Sequence, residues 1–276
     1  MSFCEHCVKG VIHEGVPKGE DSAAQSASKS LLVDFPILTT GKWEKLGGVE
    51  CYVATPAVEY PKDKAVLFLS DIFGAHFINA QLMADSFAEN GFYTIIPDYL
   101  SGDPVPSHAL SPGSDLDVNW VLTNWLPHHG ADVTRPPLDT VVKVLRERGI
   151  SDFGATGYCF GGRYVFDLAF ENVIKVGVVA HPSHLKFPFD LEKYFSTSKA
   201  PLLINSCPVD FMFPPEAQAK ADEIFGDGKF VPGYKRNIYE GCLHGFAVRG
   251  DMNDPKVKAG KEGAFKETVE WFNRYL

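Results

Sequence analysis

The sequence has no cluster of basic residues, no apolar stretch of membrane length and no dense cysteine framework, and each gap closes off a class of function. Its 26 Lys and Arg stand against 35 Asp and Glu, and 26 minus 35 gives a formal charge of −9. Without a basic patch or run, the electrostatic footprint of a nucleic-acid binder is missing. Apolar runs such as Ala65 to Leu69 and Val176 to Ala180 fall far short of the roughly 20 residues a membrane helix needs. The amino-terminal residues carry no apolar signal-peptide core, so a cytoplasmic protein without membrane contact is expected. Six cysteines, Cys4, Cys7, Cys51, Cys159, Cys207 and Cys242, are too few for the framework of a small secreted domain, which leaves the thiols reduced. A second Cys or His pair at zinc spacing is lacking after Cys4-x-x-Cys7, despite His6 and His13 nearby, and no His pair shows a helical spacing such as H-E-x-x-H. Neither a metal nor a cofactor is therefore expected. No internal repeat is found.

What is there is enough apolar material for one large domain: 276 residues, 45% hydrophobic. Residues 1–30 are polar and rich in Ser, Ala, Gly and Lys, and read as a surface arm; residues 31–276 read as a single domain. Trp43 leads to Gly47-Gly48 and then to the β-rich Val49 to Ala54, which predicts antiparallel edge strands joined by a tight turn. The continuous apolar run from Lys64 to Ser70 predicts a strand covered on both faces. A helix with Phe77, Ala80, Ala84 and Phe87 on one face, stopped by Gly91, and a strand from Tyr93 to Ile96 complete a βαβ rhythm and hence a mostly parallel sheet.

From Tyr99 to Pro137 that rhythm breaks into a proline-containing segment with one short helix near Asn119, placed where a flap over a site would be attached. Its histidines, His108, His128 and His129, are expected to be solvated rather than metal ligands. Leu138, Val141, Val142 and Leu145 then predict a helical face. Further strands are expected at Lys175 to Ala180, Pro201 to Ser206 and Lys235 to Glu240. Helices are expected from Pro214 to Phe225 and at the carboxyl end, the latter with Val257, Phe265, Val269, Phe272 and Leu276 on its stripe.

The chemistry centres on Gly157-Tyr158-Cys159-Phe160-Gly161-Gly162. A nucleophile between glycines two residues before and two after it, with a short strand from Asp152 to Thr156 before it and a helix from Gly162 to Phe170 after it, is a nucleophile elbow with cysteine in place of serine. Taken by itself the motif also fits a small buried thiol beside packing glycines. Two further reactive types follow in loops after later strands: Asp210, then His244 in Gly241-Cys242-Leu243-His244-Gly245-Phe246. Nucleophile, acid, histidine is the chain order of the α/β-hydrolases.

These motifs, together with Asp71-Ile72-Phe73-Gly74, make the sequence resemble the dienelactone hydrolase family, and most of all its fungal branch, from about residue 30 to residue 276. The resemblance implies an α/β-hydrolase fold and a Cys159–His244–Asp210 triad that opens a small-molecule ester or lactone through an acyl-cysteine. It also implies an oxyanion hole from the backbone amides of Ile72 and Phe160 and a thiolate-modulating Asp71. In bacterial members a glutamate stands where this chain has Asp71, one methylene shorter. Tyr99 to Asp103 lacks the arginine those members use for a substrate carboxylate, and Arg249 stands one position later than their second one. Arg249 is thus either an acid-binding or a surface residue, and His181 either borders the pocket or is merely packed. A monomer or homodimer is expected. The competing expectation is a binding or sensor protein that keeps the fold and reacts without turnover.

Overall fold

In the computed structural model, which describes residues 11–13, 39–111 and 113–276, the sheet begins with an antiparallel hairpin. β1 (Thr39–Leu46) and β2 (Val49–Pro56) pair across the two-residue Gly47-Gly48 turn, with Leu46 opposite Val49. β3 (Lys64–Leu69), β4 (Thr94–Pro97), β5 (Asp152–Tyr158), β6 (Val176–Ala180), β7 (Leu202–Ser206) and β8 (Tyr234–Ile238) complete eight strands in the order β1-β2-β4-β3-β5-β6-β7-β8. β2 meets β4 antiparallel, and every later pairing is parallel. The inner strands are buried along almost their whole length, as their unbroken apolar runs require.

Helices cover the sheet. α1 (Ile78–Glu89) and the carboxyl-terminal α8 (Pro255–Tyr275) meet through Phe87, whose ring lies 4.7 Å from Phe265 and 6.0 Å from Phe272. α4 (Gly161–Phe170), α5 (Phe189–Thr197) and α6 (Pro215–Phe225) join through Phe166, Tyr194 and Phe225. This is the α/β-hydrolase architecture. No helix among the described residues is long and apolar enough to cross a membrane.

The segment after β4 departs from expectation in its second half. Val118–Trp120 (α2) runs into a π turn at Val121–Trp125 and a 3₁₀ turn at Leu126–His128, and α3 already begins at Ala131 and continues to Glu147. Pro136 and Pro137 lie inside α3 and delete two amide donors, which is why they read as breakers. The buried face of Thr134, Leu138, Val141, Val142 and Leu145 overrides that cost. His129 is not solvated: it is 4% exposed, stacks on Trp125 at 3.9 Å and bonds the Trp125 carbonyl through Nδ1 at 2.8 Å. On α8 the buried positions are Gly260, Ala264, Thr268, Trp271 and Phe272; of the expected stripe Phe272 is in this set, and Phe265, Val269 and Leu276 are half-buried against the core. Helices α5 and α7 (Phe246–Arg249) are additions to the sequence reading. Most of the expected arm, with Cys4, His6 and Cys7, lies outside the described residues.

Candidate active site

The elbow is built where β5 ends. Cys159 has φ 49°, a left-handed angle that costs a non-glycine residue about 1–3 kcal/mol unless the surroundings impose it. They do so from three sides. The Cys159 amide donates to the Ala180 carbonyl at 3.2 Å, and its own carbonyl accepts from Gly162 at 3.0 Å and from Ser183 at 2.9 Å. A Cβ on Gly161 would lie 2.1 Å from the Leu69 carbonyl, and one on Gly162 would lie 2.7 Å from Pro182 Cβ. The missing side chains therefore let the end of β3 and the turn after β6 close on Cys159.

Asp210 follows β7 and His244 follows β8. Asp210 Oδ1 accepts the amides of Met212 at 2.8 Å and Phe213 at 3.2 Å, and His244 Nδ1 at 2.9 Å. With Nδ1–H committed to this bond, the neutral imidazole presents a lone pair at Nε2. Nε2 is buried and makes no well-formed hydrogen bond among the described residues, and the imidazole feels the charge of Cys159. Burial alone would depress His244; the charges of Asp210 and Cys159 outweigh it and hold the imidazole well above its ordinary value.

Asp71 lies in the loop after β3. Its Oδ1 accepts the Phe73 amide at 3.0 Å and its Oδ2 is bonded by Arg249 Nη1. Both partners are buried, Asp71 at 2% and Arg249 at 1% exposure, so the surface reading of Arg249 is excluded. The guanidinium also lies 5.1 Å over the ring of Phe73. Burial raises the Asp71 carboxyl, Arg249 opposes it, and the neighbouring Cys159 charge adds to the rise. Leu69 and Gly157 are direct partners on adjacent strands, which brings Ile72 and Phe160 to the same end of the sheet.

The backbone that carries Arg249 is held by buried and half-buried groups whose part in it the sequence reading did not foresee. The Lys261 ammonium donates to the carbonyls of Ala247 at 3.2 Å and Val248 at 2.8 Å, and burial lowers it to about 7. Asn79 Nδ2 donates to Val248 at 3.0 Å and to Val11 at 2.9 Å. The Val11 amide donates to the Arg249 carbonyl at 2.9 Å, the His13 amide to Asn79 Oδ1 at 2.8 Å, and His13 Nε2 to the Gly250 carbonyl at 2.7 Å.

His181 is fully buried, its ring 5.0 Å from His244 and 5.5 Å from Phe246. Its neighbours in the same turn stand closer to the elbow: Ser183 Oγ is 3.6 Å from Cys159 Sγ, and the His184 ring meets Phe160 edge-on at 5.2 Å. Only the folded turn makes this visible. Two cavities flank the site, one of about 480 Å³ bounded by Phe160, Tyr164, His184 and Phe189, the other of about 230 Å³ bounded by Leu243, His244 and Arg249. A third, of about 220 Å³ beside Lys64, Tyr93 and Leu276, contains none of these residues.

The dienelactone hydrolase family model matches residues 49–276. The hydrolase pyvD of Aspergillus violaceofuscus is 36% identical over 275 residues, covering 98% of this chain and 96% of that protein. Dienlactone hydrolase 1 of Gibberella moniliformis is 30% identical over 274 residues, covering 98% and 93%. Among solved structures, a Klebsiella pneumoniae protein assigned to the dienelactone hydrolases aligns with a TM-score of 0.68 at 16% identity, over 86% of this chain and 99% of its own. The dienelactone hydrolase of Anabaena variabilis aligns at 0.58 and 13% identity, over 86% and 98%.

Proposed function

The chain belongs to the dienelactone hydrolase family, and from that premise we propose that it is a cysteine-dependent hydrolase of a small ester or lactone, working through an acyl-cysteine. The observation that carries this reading is the 2.9 Å contact between His244 Nδ1 and Asp210: with the proton on Nδ1, Nε2 is left to act as base toward Cys159, whose charge the imidazole feels.

In this reading Nε2 takes the thiol proton and the sulfur attacks the carbonyl carbon. The oxygen charge that develops is met by the amides of Ile72 and Phe160, worth about 3–4 kcal/mol for each donor. Imidazolium then protonates the leaving oxygen, and Asp210 stabilises the charged ring. For a lactone, leaving group and acyl group stay in one molecule. Water, deprotonated by His244, attacks the thioester and restores the thiol.

Asp71 tunes the sulfur electrostatically, and Arg249 holds Asp71. An acidic group on the substrate would compete with Asp71 for the same guanidinium, which ties acid recognition to the state of the thiol. His181 serves by packing against His244 and Phe246.

Hydrolysis of a chromogenic short-chain ester and of dienelactone should fall by about 10³-fold or more in Cys159→Ala and stop after iodoacetamide. Activity surviving both treatments would remove Cys159 as nucleophile. Mass spectrometry should find a transient acyl group on Cys159; a stable adduct without turnover would instead mark a sensor.

A further inference from the structure

The turn His181-Pro182-Ser183-His184 has left-handed angles at two residues other than glycine, φ 39° at His181 and φ 59° at His184. Such angles persist only where the surroundings over-determine them, and they gather at functional sites. Here they direct the amide and the hydroxyl of Ser183 at one residue. Its amide donates to the Cys159 carbonyl at 2.9 Å, and its hydroxyl lies 3.6 Å from the Cys159 sulfur. Ser183 and Cys159 are both 0% exposed. A buried hydroxyl is costly unless it is hydrogen-bonded, and among the described residues the partner found for this one is the sulfur. Gly162, which leaves room for Pro182, brings the turn this close.

We propose that Ser183 is a catalytic residue whose hydroxyl donates a hydrogen bond to the Cys159 thiolate. The inference rests on Cys159 being the nucleophile. In the resting thiol the hydroxyl oxygen accepts from S–H. On ionisation the S–H bond breaks, its proton forms the N–H bond at His244 Nε2, and the electron pair stays on sulfur. The S–H turns from Ser183 to His244 as it gives up its proton, and Ser183 keeps its own proton and rotates it toward the sulfur, so the hydroxyl changes from acceptor to donor without either heavy atom moving. Bonds to a charged acceptor are the stronger kind, so the contact favours the thiolate over the thiol. Serine suits the place because its rotor serves both states; alanine would serve neither.

The test is an ultraviolet titration of thiolate absorbance, read as the difference from Cys159→Ala, which needs neither substrate nor access to the buried sulfur. In Ser183→Ala the midpoint should rise by about one pH unit, an approximately tenfold loss of thiolate at a given pH. kcat should fall about tenfold with KM little changed. The rise should persist when Ser183→Ala is made in His244→Ala, because the hydroxyl acts on sulfur and not through the imidazole. A Ser183→Ala midpoint equal to that of the unchanged protein, as a packing role would give, overturns the proposal, and so does a shift that vanishes in the His244→Ala background. Failure of the hydrolase reading appears elsewhere, as ester cleavage that survives in Cys159→Ala.

Discussion

His181 is fully buried and neither ring nitrogen has a hydrogen-bond partner among the described residues. Burial first, then the charges of His244 and Arg249, hold it well below the ordinary histidine value. Its folded form is therefore neutral. Below about pH 6.5 an unfolded chain takes up this proton and the native one does not, so the unfolded state binds more protons and stability falls as the pH falls. Each unit of pH between 6.5 and the depressed native value costs about 1.4 kcal/mol for this one group. His184, lowered chiefly by burial, adds a contribution of the same sign. His244, held above its ordinary value, acts in the opposite direction: its contribution is present at low pH and is lost as the pH rises through the raised value. The urea midpoint should therefore decline from pH 7 to pH 5 less steeply in His181→Phe than in the unchanged protein. Equal slopes would mean that His181 takes up its proton in the fold.

At the scale of elements, the four-residue helix α7 cannot hold Arg249 by its own hydrogen bonds, because nearly all its carbonyls lie past the last amide able to pair with them. Asn79, Lys261, Val11 and His13 supply the missing donors from α1, α8 and a segment near the amino terminus. Asn79→Ala should cost about 1–3 kcal/mol, by removing bonds to the Val248 carbonyl, the Val11 carbonyl and the His13 amide at once, and Val11→Pro, which deletes one amide, about 1 kcal/mol. Denaturant midpoints check both, and an Asn79→Ala protein as stable as the unchanged one would show that this bond does not hold α7. Little of this was legible in the sequence, since neither Asn79 nor Lys261 lies on the apolar stripes by which their helices are read there. What was legible depended on local pattern: the Gly47-Gly48 hairpin, the apolar runs that became β3 and β6, and the elbow. Chain order was enough to nominate the triad residues, and the structure pairs Asp210 with His244. Contacts between distant residues carry no local signature. Asp71 and Arg249 are 178 positions apart, and Ser183 meets Cys159 only after its turn has taken two left-handed angles. The start of α3 was hidden because Pro136 and Pro137 spoke against a helix whose buried face prevailed.

Across the whole molecule, parallel strands carry Asp71, Cys159, Asp210 and His244 on the loops at their carboxyl ends, and the packing there is dense enough to leave Cys159 0% and His244 3% exposed. In the proposed hydrolase a substrate reaches Cys159 only after these loops part, so the loops that hold the residues would also form their cover. That closure bears on oxidation. Peroxide attacks thiolates that it can reach, and the first product, a sulfenic acid, leads on to forms that thiols do not restore. A resting molecule keeps Cys159 out of reach, whereas a molecule opening for substrate exposes it. Peroxide should therefore inactivate the resting protein slowly and the protein turning over an ester faster, with the added oxygen found on Cys159 by mass spectrometry; equal rates in the two states would mean that the closed form gives no shelter. On this account the lifetime of the protein in an oxidising cell is counted in catalytic cycles as well as in hours.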